Sequence, residues 1–358
     1  MDEVLAAALD DTRRGLIIEC KQERWERARE ALRQAIASGH ADYAPKAMVE
    51  LGLLEHQQRR PTQARDAFQR AIATGHTDQA PNAMVNLGIH EQEQGRFHQA
   101  GVAFRRAIAT GHTEQAPRGM VGFGSLEKEQ GHTESACAAY RQAIATGHAE
   151  CAPLSMVILG NLEQEQKRFE QARDAFRQAI ATGHRDYAPR AMVNLGDLEH
   201  AQRRFELARE AFRQAIATAH AVQAPRAMLG LGILEYEQGR FALAREAFRQ
   251  AIAADDPEQA PRAMVGIGVL EHEQGHLAQA RDAFQQAIAT GHPQVAAQAE
   301  HNLRALEAQA AEHVRAQHFA RFGFQAHTDP DVQSVKPHTP SDGTTTAAPT
   351  PTLDPVKD

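Results

Sequence analysis

Ala179-Ile180-Ala181-Thr182-Gly183-His184 is a short sequence that recurs, with little variation, along most of this 358-residue chain. Its isoleucine returns every 36 residues, at Ile36, Ile72, Ile108, Ile144, Ile180, Ile216, Ile252 and Ile288. Methionines from Met48 to Met264 and glycines from Gly52 to Gly268 keep the same step, so no insertion breaks the register. A fixed period of this length predicts a repeat protein in which each unit packs on its neighbours.

Each unit has the pattern of two amphipathic helices. In residues 187–222, the first apolar stripe at helical spacing contains Met192, Leu195, Gly196 and Leu198. The second stripe contains Phe205, Ala208, Ala211, Phe212, Ala215 and Ile216. We expect the small residues Gly196 and Ala208 to let the two helix backbones approach each other.

Glycines mark the predicted helix ends. Left-handed caps are expected after the first helix and in the Thr-Gly-His turn that closes most units, at Gly95, Gly131, Gly239 and Gly275 and at Gly39, Gly75, Gly111, Gly147, Gly183 and Gly291. The histidines that follow this turn lie just beyond a helix C-terminus, where positive charge is favourable. One imidazole per repeat gives a row rather than a metal-binding cluster, because packed helices lie about 8–10 Å apart.

A row of glutamates recurs in the first helices, from Glu55 to Glu307, and a row of arginines recurs in the second helices. A buried carboxylate needs a partner. We therefore predict a structural row of ion pairs, interrupted at Gly101 and Cys137, where the arginine is missing.

The spacing Met192-x-x-Leu195-Gly196, Ala208-x-x-x-Phe212, Ala215 resembles that of the tetratricopeptide repeat (TPR) family, over about residues 10–294. Three features depart from the family: Met192 and Glu199 stand where Trp and Tyr are usual, the closing Pro is displaced, and each unit exceeds the usual 34 residues. The resemblance implies an all-α, right-handed superhelical solenoid of eight helix-turn-helix repeats.

The repeat register also predicts the domain boundaries. Residues 1–42 form a degenerate N-terminal capping repeat, whose first helix is expected at about residues 3–21, and residues 43–294 form seven complete repeats. Residues 295–322 are predicted to form a C-terminal capping helix. Residues 323–358, rich in Pro and Thr, are predicted to be a disordered tail.

Bulk properties exclude several classes of function. The formal net charge of −7 argues against a nucleic-acid partner. Cys20, Cys137 and Cys151 have no disulfide or zinc-ribbon spacing. The start Met1-Asp2-Glu3 lacks the basic region of a signal peptide, and no segment has the roughly 20 apolar residues that span a bilayer. We expect a cytoplasmic protein without membrane contact or cofactor.

His272-Glu273-Gln274-Gly275-His276 matches the zinc-protease motif H-E-x-x-H. The register-equivalent segments Tyr236–Arg240 and Gln92–Arg96 lack both histidines, and Gly275 is expected to end the helix before His276. Zinc proteolysis is therefore only a distant alternative, and we expect no enzyme activity and no metal.

Resemblance to the family implies a concave groove lined by the first helices. One stripe there is mostly basic, and the next contains asparagines among the glycines Gly122, Gly230 and Gly266, which we expect to leave room for a ligand backbone. An acidic rim follows at Glu93, Glu129, Glu165, Glu237 and Glu273. The predicted partner-binding residues are Lys46, Asn86, Arg118, Arg190, Asn194, Arg226 and Arg262.

The sequence thus favours a non-catalytic scaffold that binds a partner protein or an extended peptide in this groove. A regulatory sensor for a small signalling peptide is the main alternative. A merely solvated charged face fits the same residues. An RNA-binding helical-repeat protein is disfavoured by the acidic rim. Chaperone tails are not implied, because Val193 and Val265 stand where the family's carboxylate clamp would be polar.

Overall fold

A computed structural model of the chain describes residues 23–322, and every regular element in that range is an α-helix. The helix expected at about residues 3–21 and the predicted tail at 323–358 lie outside the described residues. The all-α repeat architecture is confirmed.

The helices follow the 36-residue register. Helix α1 includes residues 23–37. The first and second helices of the seven complete repeats are α2 Tyr43–Gln57 and α3 Pro61–Ala73; α4 Gln79–Glu93 and α5 Phe97–Ala109; α6 Gln115–Glu129 and α7 Thr133–Ala145; α8 Cys151–Glu165 and α9 Phe169–Ala181; α10 Tyr187–Ala201 and α11 Phe205–Ala217; α12 Gln223–Glu237 and α13 Phe241–Ala253; α14 Gln259–Glu273 and α15 Leu277–Ala289. Helix α16, Pro293–Phe322, includes the predicted capping helix.

The chain divides into two compact units, Met1–Tyr187 and Ala188–Asp358. In each unit the second helix of one repeat packs against the first helix of the next, and neighbouring first helices also touch. Among the described helices, neighbouring second helices make no comparable contact. Each unit therefore has a layer of first helices and a layer of second helices, with the apolar core between them.

An aromatic ring from each second helix fills this core. The rings of Phe68, Phe104, Phe176, Phe212, Phe248 and Phe284 are at most 1% exposed, and Tyr140 takes this place in α7. A Cβ atom added at Gly88 would lie 2.5 Å from the Phe104 ring, and one added at Gly122, in the next repeat, would be equally close. The glycines therefore make room for a ring between consecutive first helices.

Two expectations from the sequence are corrected by this packing. Gly196 faces the ring of Phe212, so its missing side chain accommodates an aromatic ring rather than a second backbone at Ala208. The space at Gly122, Gly230 and Gly266 is likewise taken by the rings of Phe104, Phe212 and Phe248, which leaves no room there for a ligand.

The glycine caps are confirmed, with φ between 63° and 79° at all ten predicted positions. The histidines that follow the turn have a different role from the predicted one. At His40, His76, His112, His148, His184 and His220, Nδ1 accepts backbone N–H groups two and three residues later, at 3.1–3.4 Å. Each histidine thus caps the N-terminus of the next helix as a neutral acceptor, where positive charge would be unfavourable.

The same histidines connect neighbouring repeats. Nε2 lies 3.0–3.5 Å from an acidic residue 34 positions earlier, in the pairs His76–Asp42, His112–Asp78, His148–Glu114, His184–Glu150 and His292–Glu258. Asp256 replaces the histidine in one repeat and caps the next helix with Oδ1 at 2.9 and 3.0 Å. The residue 34 positions before it is Val222. The two substitutions together avoid placing two carboxylates side by side.

The predicted ion pairs form between arginines of the second helices and the glutamates 26 residues later, in the next repeat. Arg29–Glu55, Arg65–Glu91, Arg209–Glu235 and Arg245–Glu271 have Nε–Oε1 distances of 2.5–2.6 Å. Where Cys137 interrupts the row, Arg141 reaches Glu163 at 2.5 Å instead. A second basic side chain, such as Arg96 at Glu91, follows five residues after Glu55, Glu91, Glu163, Glu235 and Glu271.

Helix α16 closes the second unit. Val295, Ala299 and Leu306 are at most 1% exposed and pack with Val269 and Phe284 of the last complete repeat. Among the described residues, no helix combines the length and apolar character needed to cross a membrane.

Replacing Gly88 by Ala should destabilise the protein, because the new Cβ would overlap the Phe104 ring; overpacking of this kind costs about 1–3 kcal/mol. Gly101→Ala is a matched control in the same repeat. Its Cβ would meet neighbours at 3.5 Å or more, so the better helix propensity of Ala should stabilise by about 0.5–1 kcal/mol. Urea unfolding measures the change in unfolding free energy of each variant. A change in the same direction for both variants would contradict this packing.

His148→Ala should lose a helix cap, at a cost of about 1 kcal/mol, whereas His148→Asn should retain most of the stability because Asn is a good capping acceptor. Urea unfolding midpoints of the wild type and the two variants measure these losses of stability. Equal loss in both would show that the contact of His148 with Glu114, rather than the cap, is what stabilises the turn.

Acid should weaken the ion-pair row. Burial raises the pKa of Glu91, but hydrogen bonds from Arg65 and Arg96 outweigh it and hold the pKa below its ordinary value of 4.5. Because the folded-state pKa is depressed, this stability is present above pH 4.5 and is lost as the pH falls through the lowered pKa. The difference in unfolding free energy between wild type and Glu91→Gln should therefore shrink over that window. A difference independent of pH would contradict the assignment.

Candidate functional site

The predicted partner-binding residues all lie on first helices. The side chains of Lys46, Arg118, Arg190 and Arg226 are exposed, while that of Arg262 is 18% exposed. In the first unit, Arg118 donates to Gln115 on its own helix at 3.1 Å. Lys46 and Arg118 thus lie in the first unit, and Arg190, Arg226 and Arg262 lie in the second, each on a different first helix.

The second unit carries cations on three successive first helices. Nη2 of Arg226 donates to Oδ2 of Asp197 in the preceding repeat at 3.1 Å, and both side chains are 43% exposed. Arg262 lies 3.8 Å from Glu258. Two of the three arginines thus have acidic neighbours in the layer of first helices, and Arg190 is exposed at the equivalent position of α10.

The two predicted asparagines are less accessible. Asn194 is only 8% exposed and already has a partner within the protein. Asn86 donates to Asn82, one turn earlier, at 3.0 Å. The arginines, rather than the asparagines or glycines, are therefore the accessible part of the predicted stripe.

The acidic rim is engaged in contacts between repeats. Its glutamates accept hydrogen bonds from the residue 37 positions earlier, as in Gln92–Glu129 at 2.7 Å and His200–Glu237 at 2.8 Å. Tyr236 bonds Glu273 in the same way, and Lys128 lies 3.8 Å from Glu165. These carboxylates hold neighbouring first helices together and are only partly available to a partner.

The zinc-protease motif does not form a metal site. Helix α14 ends at Glu273, and Gly275 has φ +78°, as the sequence predicted. His272 then bonds Gln309 at 2.7 Å, whereas His276 bonds Glu271 at 2.7 Å. The two imidazoles are thus committed to different partners.

Two cysteines lie in the part of the chain that the structure describes, and neither is accessible. Cys137 and Cys151 are buried, and burial raises the pKa of both thiols. No group of three or more potential metal ligands converges among residues 23–318.

One histidine was missed from the sequence. His90 is buried in α4 at a position where the other repeats have leucine, and its ring contacts His56. An alignment of the repeats shows His90 as the exception in a column of leucines. The alignment does not show that His90 contacts His56, 34 residues earlier.

Comparison with known proteins agrees with this architecture. A tetratricopeptide-repeat family model matches residues 19–83 and 229–296, and a second model of the same repeat matches residues 187–256. No curated protein matches the chain in sequence.

Three solved structures illustrate the similarity. The C-terminal part of a TPR protein from Cytophaga hutchinsonii is 12% identical, with a TM-score of 0.52, covering 68% of this chain and 95% of that one. A tetratricopeptide repeat protein from Parabacteroides merdae is 18% identical, with a TM-score of 0.46, covering 73% and 97%. PilF from Pseudomonas aeruginosa is 20% identical, with a TM-score of 0.47, covering 59% and 91%.

At these identities, likeness to solved structures bears on the fold alone, and the Cytophaga protein supports it. The matches to the repeat models fall in both units, and the helix pairs continue in register between the matched stretches. The chain therefore contains tetratricopeptide repeats.

Proposed function

We propose that this protein is a non-catalytic scaffold whose first helices in the second unit bind an acidic or C-terminal peptide segment of a partner protein. Tetratricopeptide repeats are in general protein-interaction modules. The acidic character of the segment and its location are specific to this proposal.

The row of Arg190, Arg226 and Arg262 is the observation that carries the proposal. These residues occupy the same position in three successive first helices of one unit. A guanidinium group can hold a carboxylate with two parallel hydrogen bonds, and Arg also tolerates partial burial better than Lys. The row is therefore suited to carboxylates presented at regular intervals.

Helix spacing suggests which peptide fits. Packed helices lie about 8–10 Å apart, and an extended peptide advances about 3.3 Å per residue. Successive arginines would then meet every third residue of an extended ligand. Acidic side chains three residues apart, or an acidic side chain followed by the terminal carboxylate, match this spacing.

The intramolecular partner of Arg226 sets the cost of binding. Asp197 must give up its hydrogen bond when a ligand carboxylate takes the guanidinium. Because Asp197 remains partly exposed, water can solvate it after the exchange. An Asp197→Asn variant would remove this competitor and leave the arginine row intact.

Charge reversal tests the proposal. An array of acidic and C-terminal peptides is screened on the wild type, and the affinity of the best peptide is measured by fluorescence anisotropy. Changing Arg190, Arg226 and Arg262 together to Glu should abolish binding, while Asp197→Asn should strengthen it. Circular dichroism should show an unchanged helical fold, because these side chains lie outside the aromatic core.

Arg203, Arg213 and Arg249 provide the matched control. They are exposed arginines of the same unit, outside the first helices, so their triple change to Glu alters net charge equally. The control should bind nearly as well as the wild type. Equal loss in both variants would mean that binding follows net charge alone, and full binding by the first variant would refute the location.

A further inference from the structure

Two arginines share a single carboxylate between helices α3 and α5. Nε and Nη2 of Arg65 donate to Glu91 at 2.6 and 3.0 Å, and Nε of Arg96 donates to the same carboxylate. The side chain of Glu91 is 3% exposed, whereas those of Arg65 and Arg96 are 31% and 32% exposed. One positive charge of this group is therefore not balanced within it.

In other repeats a second glutamate completes the equivalent group. It lies on the second helix, three residues before the arginine. In α11, Nη1 of Arg209 bonds this glutamate, Glu206, and Nη2 of Arg240 lies 3.6 Å from it. Glu26 makes the same two contacts in α1, at 2.5 and 3.9 Å. The groups in α1 and α11 therefore combine two arginines with two carboxylates.

Thr62 takes the position of this second glutamate in α3. Nη1 of Arg65 therefore has no acceptor among the described residues, and Nη2 of Arg96 is a buried polar atom without a hydrogen-bond partner. These are the same two atoms that face the glutamate in α1 and α11. A donor without an acceptor is costly, so a carboxylate from outside the chain would be favoured at this place.

The imbalance is confined to this group. Ala242 replaces the glutamate in α13, but the second basic residue there is His276 rather than an arginine. Asp66, next to Arg65 on α3, has acidic equivalents in α1, α9 and α11, so it does not alter the comparison. Among residues 23–322, no other equivalent group combines two arginines with one carboxylate.

A pocket of about 470 Å³ lies beside the two arginines, between α3 and α5. Its lining contains one carboxylate, that of Glu91, and includes Arg65, Leu87, Arg96, Val102 and Arg106. Val102 is 40% exposed and stands where most other second helices have Asp or Glu. Arg106 is exposed and stands where most of them have Gln. Compared with the equivalent positions, this groove is therefore both more apolar and more basic.

We propose that this groove is a second interaction surface, which binds an acidic segment of a partner protein. A glutamate or aspartate side chain of the partner binds between Nη1 of Arg65 and Nη2 of Arg96, where α1 and α11 have their own glutamate. An adjacent apolar side chain packs on Val102, and Arg106 attracts a second acidic residue. A protein segment supplies all of these groups, whereas an inorganic anion supplies only the first.

This surface differs in position from the row of arginines proposed above. It lies in the first unit and in the layer of second helices, whereas the row lies in the second unit and in the layer of first helices. The two proposals therefore stand or fall separately. A scaffold with both surfaces would hold two acidic segments at once.

Thr62→Glu tests the proposal, because it restores the glutamate of α1 and α11 without removing a core side chain. An array of decapeptides with glutamate and leucine in varied order, and glutamine versions as reference, is screened on the wild type. Fluorescence anisotropy then gives the affinity of each binding peptide. Thr62→Glu should weaken the peptides of this groove at least about tenfold, because its own carboxylate takes both guanidinium groups. It should also raise the urea unfolding midpoint.

Two further variants define the site. Gln63→Glu adds the same charge at the next exposed residue of α3 and should change the affinity by no more than about twofold. Val102→Glu restores the acid of most other second helices and should weaken binding as Thr62→Glu does. Peptides that respond to Thr62→Glu should bind unchanged when Arg190, Arg226 and Arg262 are changed to Glu, which separates this groove from the arginine row.

Three results would overturn the proposal. If no peptide distinguishes wild type from Thr62→Glu, the groove does not bind an acidic segment. Equal loss in Gln63→Glu would mean that binding follows net charge rather than the arginine pair. An oligouridine that binds more tightly than every peptide, and is lost in Thr62→Glu, would assign the groove to nucleic acid instead of protein.

Discussion

The structure depends on one packing constraint, which is that the aromatic ring of each complete repeat must fit against a glycine in the first helix of the same repeat. Phe104 lies between Gly88 of its own repeat and Gly122 of the next, each of which leaves the space of a Cβ atom for the ring. The ring is fully buried and packs against the first helices of two consecutive repeats. Stability therefore arises at the boundaries between repeats, as expected for a linear array. An isolated repeat would leave one side of its aromatic ring in water.

Polar contacts fix the register between consecutive repeats, which the apolar packing alone does not specify. The arginine–glutamate pairs, the capping histidines and the rim glutamates each join residues in consecutive repeats, 26, 34 and 37 positions apart. Buried ion pairs contribute little net stability compared with apolar residues, but breaking one is costly. Their value here is that a shifted repeat would leave several buried charges unpaired. The departures in the array have local compensation, as when Arg141 takes over Glu163 beside Cys137.

Much of the fold could be predicted from the sequence, because the repeats of a single chain can be aligned with one another. The helix pairs, the left-handed glycines and the arginine–glutamate row follow from residue types at a fixed period. The roles of Gly230 and of the capping histidines did not follow. In both cases the deciding fact is the position of a side chain: the ring of Phe212 occupies the space beside Gly230, and Nδ1 of His148 faces backbone N–H groups of the next helix. The family resemblance places Asn194 on the groove wall by its position in the first helix, whereas its burial depends on helix packing. The pairing of His56 with His90 likewise requires two helices in place.

Asp256 replaces a capping histidine, and Val222 replaces the acidic residue that would contact it. This pair of substitutions affects which repeats can be deleted or duplicated without loss of a contact. Loss or gain of a whole repeat by recombination normally joins an acid-bearing unit to a histidine-bearing unit again, so the new junction is as good as the old ones. The unit that carries Val222 is different. Its removal would bring Asp256 opposite an acidic residue, and two carboxylates would share the site that suits a histidine and an acid. This junction therefore tolerates the deletion of a repeat less well than a junction between two ordinary pairs of histidine and acid.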